Sequence, residues 1–104
     1  MTSKKLFSPQ ELYDLRNCIP VDALIANQLK IPARVSDGRF RFLCPLCNEF
    51  VTATNPQTNL ARCFRCQKNF NTIDLVMICR QTGFVESVKY LKACLEKYDG
   101  QHAT

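Results

Sequence analysis

The sequence predicts an α+β fold: a three-stranded antiparallel ribbon flanked by N-terminal and C-terminal helices. Three observations predict it. Helix-start residues stand at Ser8-Pro9-Gln10-Glu11 and at Asn71-Thr72, the middle of the chain switches to an alternating strand period, and two C-x2-C pairs bracket that middle. The whole of residues 1–104 reads as one domain: a helical lead-in over about 8–30, a ribbon over about 36–70, helices over about 72–97 and a tail over 98–104.

In the lead-in, Ser8 suits a cap, Pro9 the first helical position and Glu11 the reciprocal half of a capping box, so a helix is expected to about Asn17. A second is expected from Val21 to Gln28, with Val21, Leu24, Ile25 and Gln28 on one side. Ile31-Pro32 ends it, because a residue before proline disfavours the helical region. In the ribbon, Ser36-Asp37-Gly38 is a turn, and Arg39-Phe40-Arg41-Phe42-Leu43 alternates as a half-buried strand. Residues 50–54 and 60–63 read as the second and third strands, with turn residues at 55–59. Asn71 or Thr72 caps a largely buried helix that runs to about Gln81, with Gly83 ending it. The last helix, from Phe84 to Lys97, carries the stripe Phe84, Val88, Leu91, Leu95.

No apolar run exceeds five residues, so no membrane span is expected, and the charged start lacks the apolar stretch of a secretory signal. A cytoplasmic location follows. There, seven cysteines read as metal ligands or core thiols, and their odd number forbids complete internal pairing. Cys44 and Cys47 are separated from Cys63 and Cys66 by fifteen residues. Each C-x2-C turn aims two sulfurs at one point, and a short hairpin brings the turns together. Four thiolates satisfy tetrahedral zinc without an open position, which makes the ion structural and argues against chemistry at the metal. A redox C-x-x-C needs a βαβ setting that this chain lacks, and an iron–sulfur cluster uses other spacings. His102 lies in the tail and is a poor ligand; Cys18, Cys79 and Cys94 read as small buried hydrophobes.

The formal charge of +5 sits almost wholly on residues 34–68, which hold six basic and two acidic side chains. Four thiolates with one zinc add −2, leaving +3. Cations interleave with aromatics here, the pattern of single-strand binders. The candidate nucleic-acid contacts are Arg39, Arg41, Arg62, Phe64, Arg65, Lys68 and Phe70. Strand alternation places Arg39 and Arg41 on one face, and Phe40 and Phe42 on the other, as core.

The runs Cys44-Pro45-Leu46-Cys47-Asn48-Glu49, Cys63-Phe64-Arg65-Cys66 and Asn71-Thr72-Ile73-Asp74-Leu75 carry a further signal. Together with Phe84-Val85-Glu86-Ser87-Val88, they resemble the zinc-binding domain of bacterial DnaG-type DNA primases over about residues 15–97. That domain has a C-P-F-H-N-E-type first knuckle, so Cys47 stands where the family usually has histidine. Arg65, Gln67 and Phe70 replace positions that are commonly glycine. The resemblance implies a zinc ribbon that binds single-stranded template, with polymerisation in a separate catalytic domain for which 104 residues leave no room. No phosphate-binding G-x4-G-K motif is present either. The expectation is a non-enzymatic module that binds single-stranded DNA, with RNA not excluded. It would assist a primase catalytic subunit, polymerase or helicase in replication. A zinc-stabilised protein–protein adapter is the alternative.

Overall fold

A computed structural model of the protein describes residues 7–102. The charged start, Met1–Leu6, and Ala103 and Thr104 of the tail lie outside the described residues. Helix α1 (Pro9–Asn17) begins as its sequence dictates. Ser8 Oγ accepts from the Glu11 amide at 3.1 Å, while the Glu11 carboxylate accepts from the Ser8 amide at 2.9 Å. The exchange satisfies two backbone donors that a helix start otherwise leaves unpaired.

The second helix is not the uniform one expected. α2 (Val21–Ala23) widens into a π-helical turn over Leu24–Gln28, where the Leu29 amide donates to the Leu24 carbonyl at 2.8 Å. Apolar periodicity does not distinguish one wide turn from an ordinary one. The segment divides its burial: Leu24 enters the helical core, while Val21 and Ile25 enter the core beneath the ribbon. Lys30, at φ 54°, closes it just before Ile31-Pro32.

The ribbon has five strands in two antiparallel sheets. β1 (Ala33–Ser36) pairs with β2 (Arg39–Phe42) through a tight turn in which Asp37 (φ 56°) and Gly38 (φ 72°) are both left-handed. This is the twist that two-residue hairpins need. The three-stranded sheet is β3 (Thr52–Asn55), β4 (Leu60–Cys63) and β5 (Lys68–Phe70), in that order. A three-stranded antiparallel sheet thus sits beside the cysteines as expected, but its third member is β5 rather than the Arg39-led strand. β1 and β5 escaped sequence reading because one is exposed almost throughout and the other has three residues.

No main-chain ladder joins β2 to β3. Side chains do the joining: Thr52 Oγ1 accepts from the Phe42 amide at 2.8 Å and donates to the Phe42 carbonyl at 2.6 Å. The Arg41 guanidinium donates to the Thr52 carbonyl at 2.9 Å. Thr52 is fully buried, so these bonds replace the water contacts that burial takes from its hydroxyl and from the Phe42 backbone.

Helix α3 (Thr72–Arg80) opens on Asn71, which exchanges capping bonds with Asp74 as Ser8 does with Glu11. It ends at Gln81, the limit expected, but the left-handed residue that stops it is Gln81 itself, at φ 54°, and not Gly83. Helix α4 (Phe84–His102) runs beyond the Lys97 limit expected from sequence, so the stretch to His102 is helical. Val88 and Leu91 of its stripe are buried, whereas Phe84 stays exposed, edge-on to Phe7 with centroids 6.4 Å apart. Cys94 is buried as expected, Cys79 only partly so, and Cys18, at the end of α1, is exposed.

One buried polar side chain lashes the helices to the ribbon, and another joins helix α3 to helix α1. Asn59, in the β3–β4 turn at φ 56°, accepts from the Val21 amide at 2.8 Å and donates to the carbonyls of Arg16 (2.6 Å) and Ile19 (2.7 Å). Thr72 donates to the Leu15 carbonyl at 2.7 Å. Among the described residues no helix is long and apolar enough to cross a membrane.

Candidate metal centre and nucleic-acid interface

Cys44 follows β2 and Cys63 ends β4, and a tight turn carries each chain back to its second cysteine. In the first knuckle the Asn48 amide donates to the Cys44 carbonyl at 2.9 Å, and Asn48 turns left-handed at φ 61°. In the second, Gln67 takes the same conformation at φ 56°, so the left-handed turn persists where the resembling family commonly has glycine.

The four sulfurs all lie within 4.8 Å of one another. Cys44 and Cys66 are 3.9 Å apart, and Cys47 and Cys63 are 3.6 Å apart. Ligands about 2.3 Å from a tetrahedral zinc sit about 3.8 Å from each other, so the cage has the size of a zinc site. Backbone amides supply its outer shell: Leu46 donates to Cys44 Sγ and Cys66 to Cys63 Sγ, each at 3.4 Å. Burial pushes the Cys44 thiol up, and it pushes Cys66 up to about 12. Burial also raises Cys63, but hydrogen bonds from the Cys66 backbone and from the Cys44 and Cys47 thiols outweigh it and bring that thiol down to about 7. Cys44 and Cys66 therefore do not ionise readily on their own account, and a divalent cation at the cage favours their thiolates. The arrangement fits one structural zinc, held by Cys44, Cys47, Cys63 and Cys66, whose chemistry is to fix the two knuckles together.

A profile of the CHC2 zinc finger, the zinc ribbon of DnaG, matches residues 7–101. The chain belongs to the CHC2 zinc finger family. A DNA primase of Streptomyces coelicolor is 27% identical over 84 residues, a stretch that covers 79% of this chain and 13% of that primase. The CHC2 finger described here accordingly spans about an eighth of the curated relative's length, and its four sulfurs show that Cys47 reaches the cage from the position where histidine is usual.

Beside the metal cage of this CHC2 finger lies an open cleft of about 630 Å³. Arg39 and Phe40 of β2, Arg62 and Phe64 of β4 and its knuckle, and Asn69 of β5 line it. Register explains part of this meeting: Arg62 pairs with Asn69 on one side and, on the other, with Ala53 of β3, which also lines the cleft, so the three share one sheet face. The Arg62 guanidinium reaches Asn69 Oδ1 at 3.3 Å and lies over the Phe64 ring, 5.6 Å from its centroid. Asp22 also lines the cleft, and its Oδ1 is buried without a hydrogen-bond partner.

The other sequence candidates lie elsewhere. Arg65 is exposed in the second knuckle and lines a neighbouring hollow, and Lys68 is exposed at the start of β5. Arg41 is partly buried at the junction of the two sheets. Phe70 is a correction: its ring is 3% exposed and packs with Phe42, Ala61 and Leu75, so no base reaches it. Alternation along β5 turns Phe70 inward with its partner Ala61 and leaves Asn69 outward, a choice invisible without the β4–β5 pairing. Phe42 is core and Phe40 half-buried, as their strand period predicts. Asn69 and Asp22 were not foreseen; a polar residue between Lys68 and Phe70, next to a cysteine knuckle, was the available signal for the former.

Proposed function

We propose that this CHC2 finger binds single-stranded DNA through its ribbon face and serves a replication enzyme (a primase catalytic subunit, a polymerase or a helicase) that supplies the catalysis. The reading places the protein in the cytoplasm as one zinc-ribbon domain. The observation that carries it is the cleft. Two arginines, a half-exposed phenylalanine and an amide converge on one concavity, and the phenylalanine stands in the second cysteine knuckle. Cations follow the phosphates and the aromatic ring accepts a base, and neither needs a particular sequence. Arg65 and Lys68, exposed in the second knuckle and at the start of β5, supply two further cations on the ribbon.

Titration of labelled oligothymidine over a range of salt concentrations tests the proposal. With Arg39, Arg65 and Lys68 on phosphates, log affinity falls against log salt with a slope of about −2. Arg39→Glu lowers the magnitude of that slope by about 0.7 and weakens binding. Arg39 is the residue of choice because Arg41 also holds the sheets together, so its reversal confuses contact with folding. Binding that ignores salt, or that survives Arg39→Glu unchanged, rejects the DNA reading and leaves the adapter.

A further inference from the structure

Phe64 borders two concavities. One is the cleft described above; the other is a hollow of about 330 Å³ lined by Glu49, Val51, Phe64 and Arg65. Phe64 is the one residue common to both linings. Both volumes fall in the ~300–1,000 Å³ range of small-molecule sites. The ring is 51% exposed, yet its base is rigid: the Phe64 amide donates to the Val51 carbonyl at 2.8 Å, and the residue sits between the ligands Cys63 and Cys66. An exposed ring on a fixed backbone is a partition, not a loose side chain.

From this geometry, and resting on the single-strand reading above, we propose that Phe64 stands between two successive bases of the bound strand. The site then holds two nucleotides, one in each concavity. On the cleft side the Arg62 guanidinium already covers the ring at 5.6 Å, so the first base stacks on that planar cation. The second base enters the smaller hollow, against the ring and against Val51, which is 47% exposed. Charge sets the direction of the backbone there. Glu49 repels phosphate and Arg65 attracts it, so the sugar–phosphate chain passes on the Arg65 side and the base points inward. Lys68 and Arg41 border neither concavity, so neither holds a base.

The test uses the zinc-loaded full chain and oligothymidine carrying two adjacent 2-aminopurines, whose mutual stacking gives an exciton signal in circular dichroism. Binding to the native protein is expected to abolish the exciton signal, because the ring separates the pair. Phe64→Ala is expected to weaken binding roughly tenfold, as loss of a stacking platform does, and to leave the exciton signal intact in the complex. Phe64→Leu keeps the apolar bulk without the aromatic face and is expected to resemble Phe64→Ala, while Phe64→Tyr resembles the native protein. Unchanged zinc content in all three variants separates stacking from misfolding. A complex in which the two probes remain stacked, or in which Phe64→Ala binds as tightly as the native chain, overturns the partition but leaves DNA binding standing. A native chain that binds no single strand at all overturns the functional reading, and the partition with it.

Discussion

The helical half and the ribbon half of this protein are held by different means. Between α1, α2, α3 and α4, Leu15, Ile19, Leu24, Ile73, Val76, Val88 and Leu91 form a continuous apolar cluster. Such a core spreads its stabilisation over many contacts, each small. Beneath the ribbon, the buried set is Val21, Ile25, Phe42, Ala61, Phe70 and Leu75 together with the ligand sulfurs Cys44 and Cys63. There the apolar supply is thinner, and individual polar atoms (four thiols, one hydroxyl, one amide) fix the geometry. The helical half is therefore graded in its response to change, and the ribbon half is abrupt.

Metal removal is the strongest way to break that comparison. Structural zinc contributes on the order of 10 kcal/mol to small ribbons, comparable to the whole stability of an ordinary domain. Chelation, or Cys63→Ala, is expected to unfold the ribbon while α1, α3 and α4 retain part of their helicity. Zinc release followed together with far-ultraviolet circular dichroism checks this; a melting curve indifferent to chelation contradicts it.

Next in size is Asn59→Ala. It leaves the Val21 amide and the carbonyls of Arg16 and Ile19 without their partner, so a loss of about 3 kcal/mol is expected. Asn55 sharpens the contrast. It ends β3 at the start of the same turn, is exposed, and its side chain accepts only from the Gln57 amide, so Asn55→Ala is expected to stay within about 0.5 kcal/mol. Urea unfolding of both variants measures the difference, and equal midpoints reject the role given to Asn59.

The smallest effect belongs to the helical half. The Ser8 amide and Lys92, whose Nζ lies 3.0 Å away, hold the Glu11 carboxyl below its ordinary pKa. A depressed folded pKa means that the contribution is present above the unfolded carboxylate value, and disappears as pH falls through the folded one. Because the ion pair is 44% and 42% exposed, solvent screens it and only a slight effect remains. Glu11→Gln is expected to lower the unfolding midpoint a little at neutral pH and not at all in acid. A difference that persists in acid shows that the cap, rather than the charge, carries the effect.

The contrast between the halves also explains what could be read from the sequence. Local codes were legible: the Ser8–Glu11 box, the Asp37-Gly38 turn, the Asn71 cap and the spacing of the four ligand cysteines each announce themselves within a few residues. Non-local choices were not. Which strands share a ladder depends on β5, a three-residue strand, and on β1, where no apolar alternation marks a buried face. Phe70 looked like a stacking ring because its knuckle is local and its inward turn is not. Asn59 read as ordinary turn chemistry, since nothing nearby reveals partners some forty residues away in the chain. The cleft required the same long-range information, because its walls come from four strands and α2.

The junction between β2 and β3 has a consequence for how this architecture can vary. Backbone amides are present whatever residue occupies a position, so an ordinary ladder survives most substitutions. A seam stitched by the Thr52 hydroxyl and the Arg41 guanidinium has no such insurance. It is the one place among the described strands where replacing a side chain deletes the rungs themselves. The hairpin that carries Arg39 to the rim can thus be set at a new angle by point mutation, with every ladder on either side left whole.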